Sequence, residues 1–170
     1  MRLLKMIFGF ILVFNFENGL SAQSIKGTFA IENVDRAKVL RVKDALNGNG
    51  VPIVLYNPVN WKCVTWDFIE VGQNVYQLKN LFTGKTFQMN DTDSVQNFAL
   101  YQQVLVANKP KKSYEFILVK DNIYLIRLKD SDLYLTPSGN SGEVNSIILL
   151  EKRKKDSTQY WKIYRQNPTM

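Results

Sequence analysis

The triplet Phe29-Ala30-Ile31 returns as Tyr76-Gln77-Leu78 and again as Tyr124-Leu125-Ile126, at spacings of 47 and 48 residues. Each copy opens a similar series of short segments. A second apolar run follows in each: Val39-Leu-Arg-Val42, Thr86-Phe-Gln-Met89 and Leu133-Tyr-Leu-Thr136. A polar loop then leads to Ile53-Val-Leu-Tyr56, Phe98-Ala-Leu-Tyr101 or Ile147-Ile-Leu-Leu150. An aromatic closes each unit, Trp66, Phe116 and Trp161, with spacings of 50 and 45. A unit of four short strands is too small to bury its own apolar face, so three must share one core. Closing twelve strands about a threefold axis leaves few open edges, and the expected fold is an all-β β-trefoil. The repeats run roughly over 26–72, 73–120 and 121–165 within a domain of 23–170. A lipocalin-like barrel, the main alternative, does not account for the triplication.

Local patterning agrees with an all-β chain. Thr28-Phe-Ala-Ile-Glu32 alternates in hydropathy, and Thr65-Trp-Asp-Phe-Ile-Glu-Val71 reads as a further short strand. Asn47-Gly-Asn-Gly50, Asn57-Pro58, Val71-Gly72 and Thr83-Gly84 punctuate the runs as turns. No stretch holds a 3.6-residue period for more than a turn or two, so helix is not expected.

Ahead of the repeats, Arg2 and Lys5 precede the apolar run Met6-Ile-Phe-Gly-Phe-Ile-Leu-Val-Phe14, and Leu20-Ser-Ala22 follows. This order is that of a secretory signal peptide over residues 1–22. The run is short of the roughly 20 residues a membrane span needs. Cleavage after Ala22 leaves 148 residues. A secreted or periplasmic location is expected, with no membrane span. Cys63 stands too far downstream to be a lipoprotein anchor.

Composition narrows the chemistry. There is no histidine, which excludes Ser-His and Cys-His nucleophilic catalysis and His-based zinc sites. The single cysteine, Cys63, can form neither an internal disulfide nor a Cys₄ cluster, and reads as a buried or half-buried apolar residue. With 45% hydrophobic and 12% aromatic residues, the chain can rely on its core instead. No metal or other cofactor is expected. The acids Asp67, Glu70, Asp91, Asp93, Asp130 and Asp132 lie near turns and strand ends, without the recurring pair that glycoside hydrolysis needs. The chain is therefore read as a binding protein and not an enzyme.

The closing segments carry a family resemblance. Gln159-Tyr160-Trp161 is an intact Gln-x-Trp, Val64-Thr65-Trp66 keeps the tryptophan, and Tyr114-Glu115-Phe116 keeps an aromatic. With Asn47-Gly-Asn-Gly50 before Ile53-Val-Leu-Tyr56, the chain from Lys26 to Tyr164 resembles the ricin-type (ricin B-like) β-trefoil lectin domain. The resemblance implies carbohydrate binding at up to three shallow sites. Each pairs an Asp at the end of the second strand with an outward aromatic on the third, assisted by an amide near the Gln-x-Trp. Here the Asp positions hold Arg41, Gln88 and Thr136, so the family's usual galactose set is incomplete in every repeat. The aromatic positions hold Tyr56 and Tyr101, with Leu149 or Glu151 in the third repeat.

Strand alternation turns Leu55 and Leu100 inward and leaves Tyr56 and Tyr101 facing out, suited to stacking on the apolar face of a pyranose. Trp61 and Asn60, in the loop Asn57-Pro-Val-Asn-Trp-Lys62, extend the first-repeat candidate. The plainer alternative is that these rings lid the barrel. Trp66, Phe116 and Trp161 are expected in the core.

Positive charge is concentrated in Lys109-Pro-Lys-Lys112 and Lys152-Arg-Lys-Lys155, within a net charge of +7, or +6 without residues 1–22. Both clusters fall between the third and fourth strands of their repeats. Lys109, Lys111, Lys112, Lys152, Arg153, Lys154 and Lys155 are thus candidates for holding an anionic glycan, the alternative being ordinary solvated loop charge. A specific nucleic-acid partner is not expected. A protein partner is the second reading: Val106-Ala-Asn-Lys-Pro-Lys-Lys112 has the form of an inhibitory loop for a protease. Asn90-Asp-Thr92 fits a glycosylation sequon.

Overall fold

The computed structural model describes residues 24–89, 98–107, 112–139 and 142–169. The segment 1–22, the sequon at Asn90, and Lys109 and Lys111 lie outside the described residues. The strands are β1 (Gly27–Asn33), β2 (Lys38–Val42), β3 (Ile53–Tyr56), β4 (Trp66–Gly72), β5 (Val75–Asn80) and β6 (Thr86–Met89). After them come β7 (Leu100–Gln103), β8 (Tyr114–Lys120), β9 (Ile123–Leu128), β10 (Leu133–Pro137), β11 (Ile148–Lys152) and β12 (Tyr160–Arg165). Helical structure among the described residues is limited to short 3₁₀ turns such as Lys62–Val64 and Ser157–Gln159.

Strands β1, β4, β5, β8, β9 and β12 pair antiparallel around a closed ring, β12 returning to β1. The hairpins β2–β3, β6–β7 and β10–β11 cap one end of this six-stranded barrel. They meet through the bridges Pro52–Tyr101, Val54–Ile147 and Ala99–Leu149, one between each pair of hairpins. This is a β-trefoil. Closure leaves the barrel without a free edge.

Repetition extends to details. β4 and β8 each carry a register shift near their ends, between Glu70 and Gly72 and between Leu118 and Lys120. The turns that follow place Asn74 and Asp121 at positive φ (57° and 46°), which short polar side chains tolerate better than most. The core is continuous. Phe68 lies 5.2 Å from Phe29, 5.6 Å from Tyr76 and 5.1 Å from Phe116 (ring centroids), mostly edge to face.

Two registers differ from those expected. The closing aromatic of the second repeat is Tyr114, not Phe116. Trp66 Nε1 donates to the Leu40 carbonyl at 3.2 Å and Trp161 Nε1 to that of Leu135 at 3.1 Å. The Tyr114 hydroxyl donates to the Phe87 carbonyl at 3.1 Å. Phe116 is buried as expected, but it stands where Phe68 stands in the first repeat, two residues along its strand. With Tyr114 in place the closing aromatics recur at 48 and 47 residues.

The second shift concerns the third strand. β7 begins at Leu100, so Tyr101 pairs with Gln88, just as Val54 pairs with Arg41 and Leu149 with Thr136. Tyr101 is therefore the counterpart of Val54. The counterparts of Tyr56 are Gln103 and Glu151. Hairpin register, set by backbone pairing across the whole ladder, overrides the match of one tyrosine to another.

Candidate functional site

The first repeat gathers the aromatic candidates. Arg41 leaves β2 on the outer face, and Tyr56 leaves the end of β3 on the same face, one diagonal step away. The Arg41 guanidinium lies over the Tyr56 ring at 4.0 Å from its centroid, within cation–π range. Trp61 comes up from the β3–β4 loop, its ring 6.2 Å from that of Tyr56 and tilted by 33°. Both rings are half-buried. They rest on a small cluster outside the main core, made by Ala30, Val39, Cys63 and Val64. The lid and platform readings of these aromatics thus meet: their undersides pack, and their remaining surface is open. Cys63 is buried, as its isolation in the sequence implied.

The β3–β4 loop is held from several directions. Asn60 donates to the Asn167 carbonyl at 3.4 Å, and the Gln166 amide donates to the Val59 carbonyl at 2.9 Å. Thr65 Oγ1 donates to Gln166 Oε1 at 2.7 Å. Three-residue turns such as Lys62–Val64 are weak alone, and these links from the C-terminal segment tie down the loop that carries Trp61, whose carbonyl also accepts from Thr65 Oγ1 at 2.8 Å.

The other repeats do not reproduce the shelf. In the second, Gln88 and Tyr101 face each other across the hairpin, both half-buried, and Tyr101 also bridges to Pro52. In the third, Thr136 is fully buried and receives a hydrogen bond from Gln159 Nε2 at 2.9 Å, while Glu151 pairs with Lys154 Nζ at 2.6 Å.

Gln159, the glutamine of the intact motif, is spent internally. Its amide also donates to the Lys152 carbonyl at 3.0 Å, and Oε1 accepts from the Lys154 backbone N–H at 2.8 Å. In the first repeat Val64 occupies that place and packs in the small apolar cluster. The motif glutamine is a brace for the loop before the last strand.

Among the basic candidates, Arg153 is tied to Gln159 Oε1 at 3.2 Å and lies over the Tyr160 ring. Lys112 donates to the Val104 carbonyl at 2.7 Å. Lys152, Lys154 and Lys155 are exposed. The carboxylates of the barrel wall serve cross-strand pairs, Asp67 with Lys79 at 3.3 Å and Glu115 with Arg127. Sequence reading missed Tyr114. The likeness of Trp66-Asp-Phe-Ile-Glu-Val-Gly72 to Tyr114-Glu-Phe-Ile-Leu-Val-Lys120, position by position, was the available signal.

No protein-family model matches the chain. No curated protein matches it either. Solved structures do. The designed threefold-symmetric protein ThreeFoil superposes at a TM-score of 0.75 with 15% identity, covering 82% of this chain and 99% of that one. The Macrolepiota procera ricin B-like lectin, in complex with lactose, gives 0.67 and 20% identity over 84% of this chain and 99% of that one. An exo-β-1,3-galactanase from Clostridium thermocellum gives 0.74 and 20% identity over 82% of this chain, which spans 30% of the galactanase. The chain has the β-trefoil fold seen in ricin B-like lectins.

Proposed function

We propose that this chain is a non-catalytic carbohydrate-binding β-trefoil, exported by its N-terminal segment, with its working site in the first repeat. Arg41, Tyr56, Asn60 and Trp61 form that site. The observation that carries the proposal is the shelf of Tyr56 and Trp61 rings, held beside a guanidinium on the outer face of the β2–β3 hairpin. Such rings stack on the C–H face of a pyranose, and neighbouring polar groups meet its hydroxyls. The fold shared with a lectin solved in complex with lactose supports the same reading.

A glycan array followed by calorimetry on its best ligand tests it. Trp61→Ala and Tyr56→Ala are each expected to weaken binding about tenfold or more, a loss of about 1.4 kcal/mol or more. Each variant should keep a cooperative thermal transition. Failure of the chain to bind any saccharide, or binding indifferent to both substitutions, refutes the proposed site.

A further inference from the structure

The first-repeat site holds a cation that no carboxylate among the described residues neutralises. Arg41 Nε is buried and has no hydrogen-bond partner among the described residues. Among the described residues no carboxylate pairs with Arg41: Asp67, Glu115 and Glu151 are engaged by Lys79, Arg127 and Lys154. Its guanidinium carbon lies over the face of Tyr56, 4.0 Å from the ring centroid. The donors of a guanidinium lie in its plane, along the edges of a fork.

A buried donor without an acceptor is costly, and a planar fork of donors matches a carboxylate in two parallel hydrogen bonds. Trp61 stands on the same shelf, 6.2 Å from Tyr56. A sugar ring resting there could place an attached carboxylate beside the fork. The corresponding positions of the other repeats, Gln88 and buried Thr136, offer no charge. We propose that the first-repeat site selects acidic saccharides, those whose sugar carries a carboxylate, through Arg41. The inference rests on the carbohydrate-binding reading above and gives it a ligand class.

The full chain is titrated at fixed ionic strength with an oligosaccharide ending in a hexuronate, and with the same oligosaccharide bearing the neutral hexose. The acidic ligand is expected to bind at least about tenfold more tightly, the scale of one charge-assisted hydrogen-bonding group. Arg41→Gln should erase that preference, the acidic ligand losing at least about tenfold more affinity than the neutral one. Arg41→Lys, which keeps the charge but not the fork, should lose most of it. Thermal unfolding of both variants shows whether they are folded, and the ratio of acidic to neutral affinity within each variant separates lost acid recognition from general damage to the shelf.

Equal binding of the two ligands, or a preference that survives Arg41→Gln, overturns the ligand class and leaves carbohydrate binding standing. A preference erased instead by neutralising Lys152, Arg153, Lys154 and Lys155 also overturns it, moving acid recognition to the third-repeat loop. Absence of binding to either ligand and to the glycan array removes both readings together.

Discussion

Tyr114 does with a phenol what Trp66 and Trp161 do with indoles: it donates one hydrogen bond to the second strand of its own repeat from a fully buried ring. The substitution is chemically tolerable because all three side chains are large, flat and carry one donor. It introduces a titratable group, however. Burial pushes the Tyr114 hydroxyl far above the ordinary phenol range, and burial raises Tyr124 and Tyr164 in the same direction. In the unfolded chain these groups lose their protons near pH 10 while the native state keeps them. Above that pH the unfolded state binds fewer protons than the native state, so stability falls as pH rises. Denaturant unfolding between pH 8 and about 11 should show that decline, with a shallower slope in Tyr114→Phe. At neutral pH the same variant should lose about 1 kcal/mol, because the Phe87 carbonyl loses its partner. An unchanged slope would show that Tyr114 ionises as readily in the native state as in the unfolded one.

At the level of strands, pairing carries electrostatic information that the residues alone do not display. Asp67 faces Lys79 across β4–β5, and Glu115 faces Arg127 across β8–β9, equivalent places in successive repeats. The third counterpart reverses polarity, with Lys162 opposite Glu32. All four side chains of the first two pairs are about one-third exposed, so solvent screening keeps each pair to less than about 1 kcal/mol. Glu115→Lys should destabilise by up to about 1 kcal/mol through like-charge repulsion, and adding Arg127→Glu should restore most of the loss. A double-mutant cycle by urea denaturation measures the coupling. Additive effects would mean the ion pair contributes nothing beyond the two side chains' separate packing. Strand register also accounts for the site. The sequence match of Tyr101 to Tyr56 is a match of residue type, whereas Tyr101 belongs opposite Gln88 because every rung from Thr86–Gln103 to Met89–Leu100 is paired in that register.

Across the whole molecule, three repeats supply one core that no single repeat owns. Phe68 of the first repeat touches Phe29 of its own repeat and Tyr76 and Phe116 of the second. Phe68→Ala should therefore cost about 3–5 kcal/mol and unfold the three repeats in one transition. Loss of one-third of the strand signal at a separate midpoint would instead make the repeats independent units. Functional asymmetry grows on this symmetric frame. The barrel needs aromatic and aliphatic residues at equivalent core positions in every repeat. Its outward hairpin positions are free to diverge, which is why only the first carries the arginine and paired rings.

Sequence alone determined the triplicated all-β architecture, the buried rings Trp66, Phe116 and Trp161, and the outward tyrosine on β3. These follow from periodicities of two residues and of about 47, which local sterics and shared burial impose wherever the chain lies. Tertiary structure decided which aromatic closes the second repeat and which residues answer Tyr56 in the others. It also brought Arg41 over one ring and Trp61 beside it. Those facts depend on hairpin register, and on contacts between Thr65 and Gln166 or Asn60 and Asn167, more than a hundred residues apart. A one-residue change of register exchanges the two faces of a strand, and no local property of the segment reveals which partner will set it.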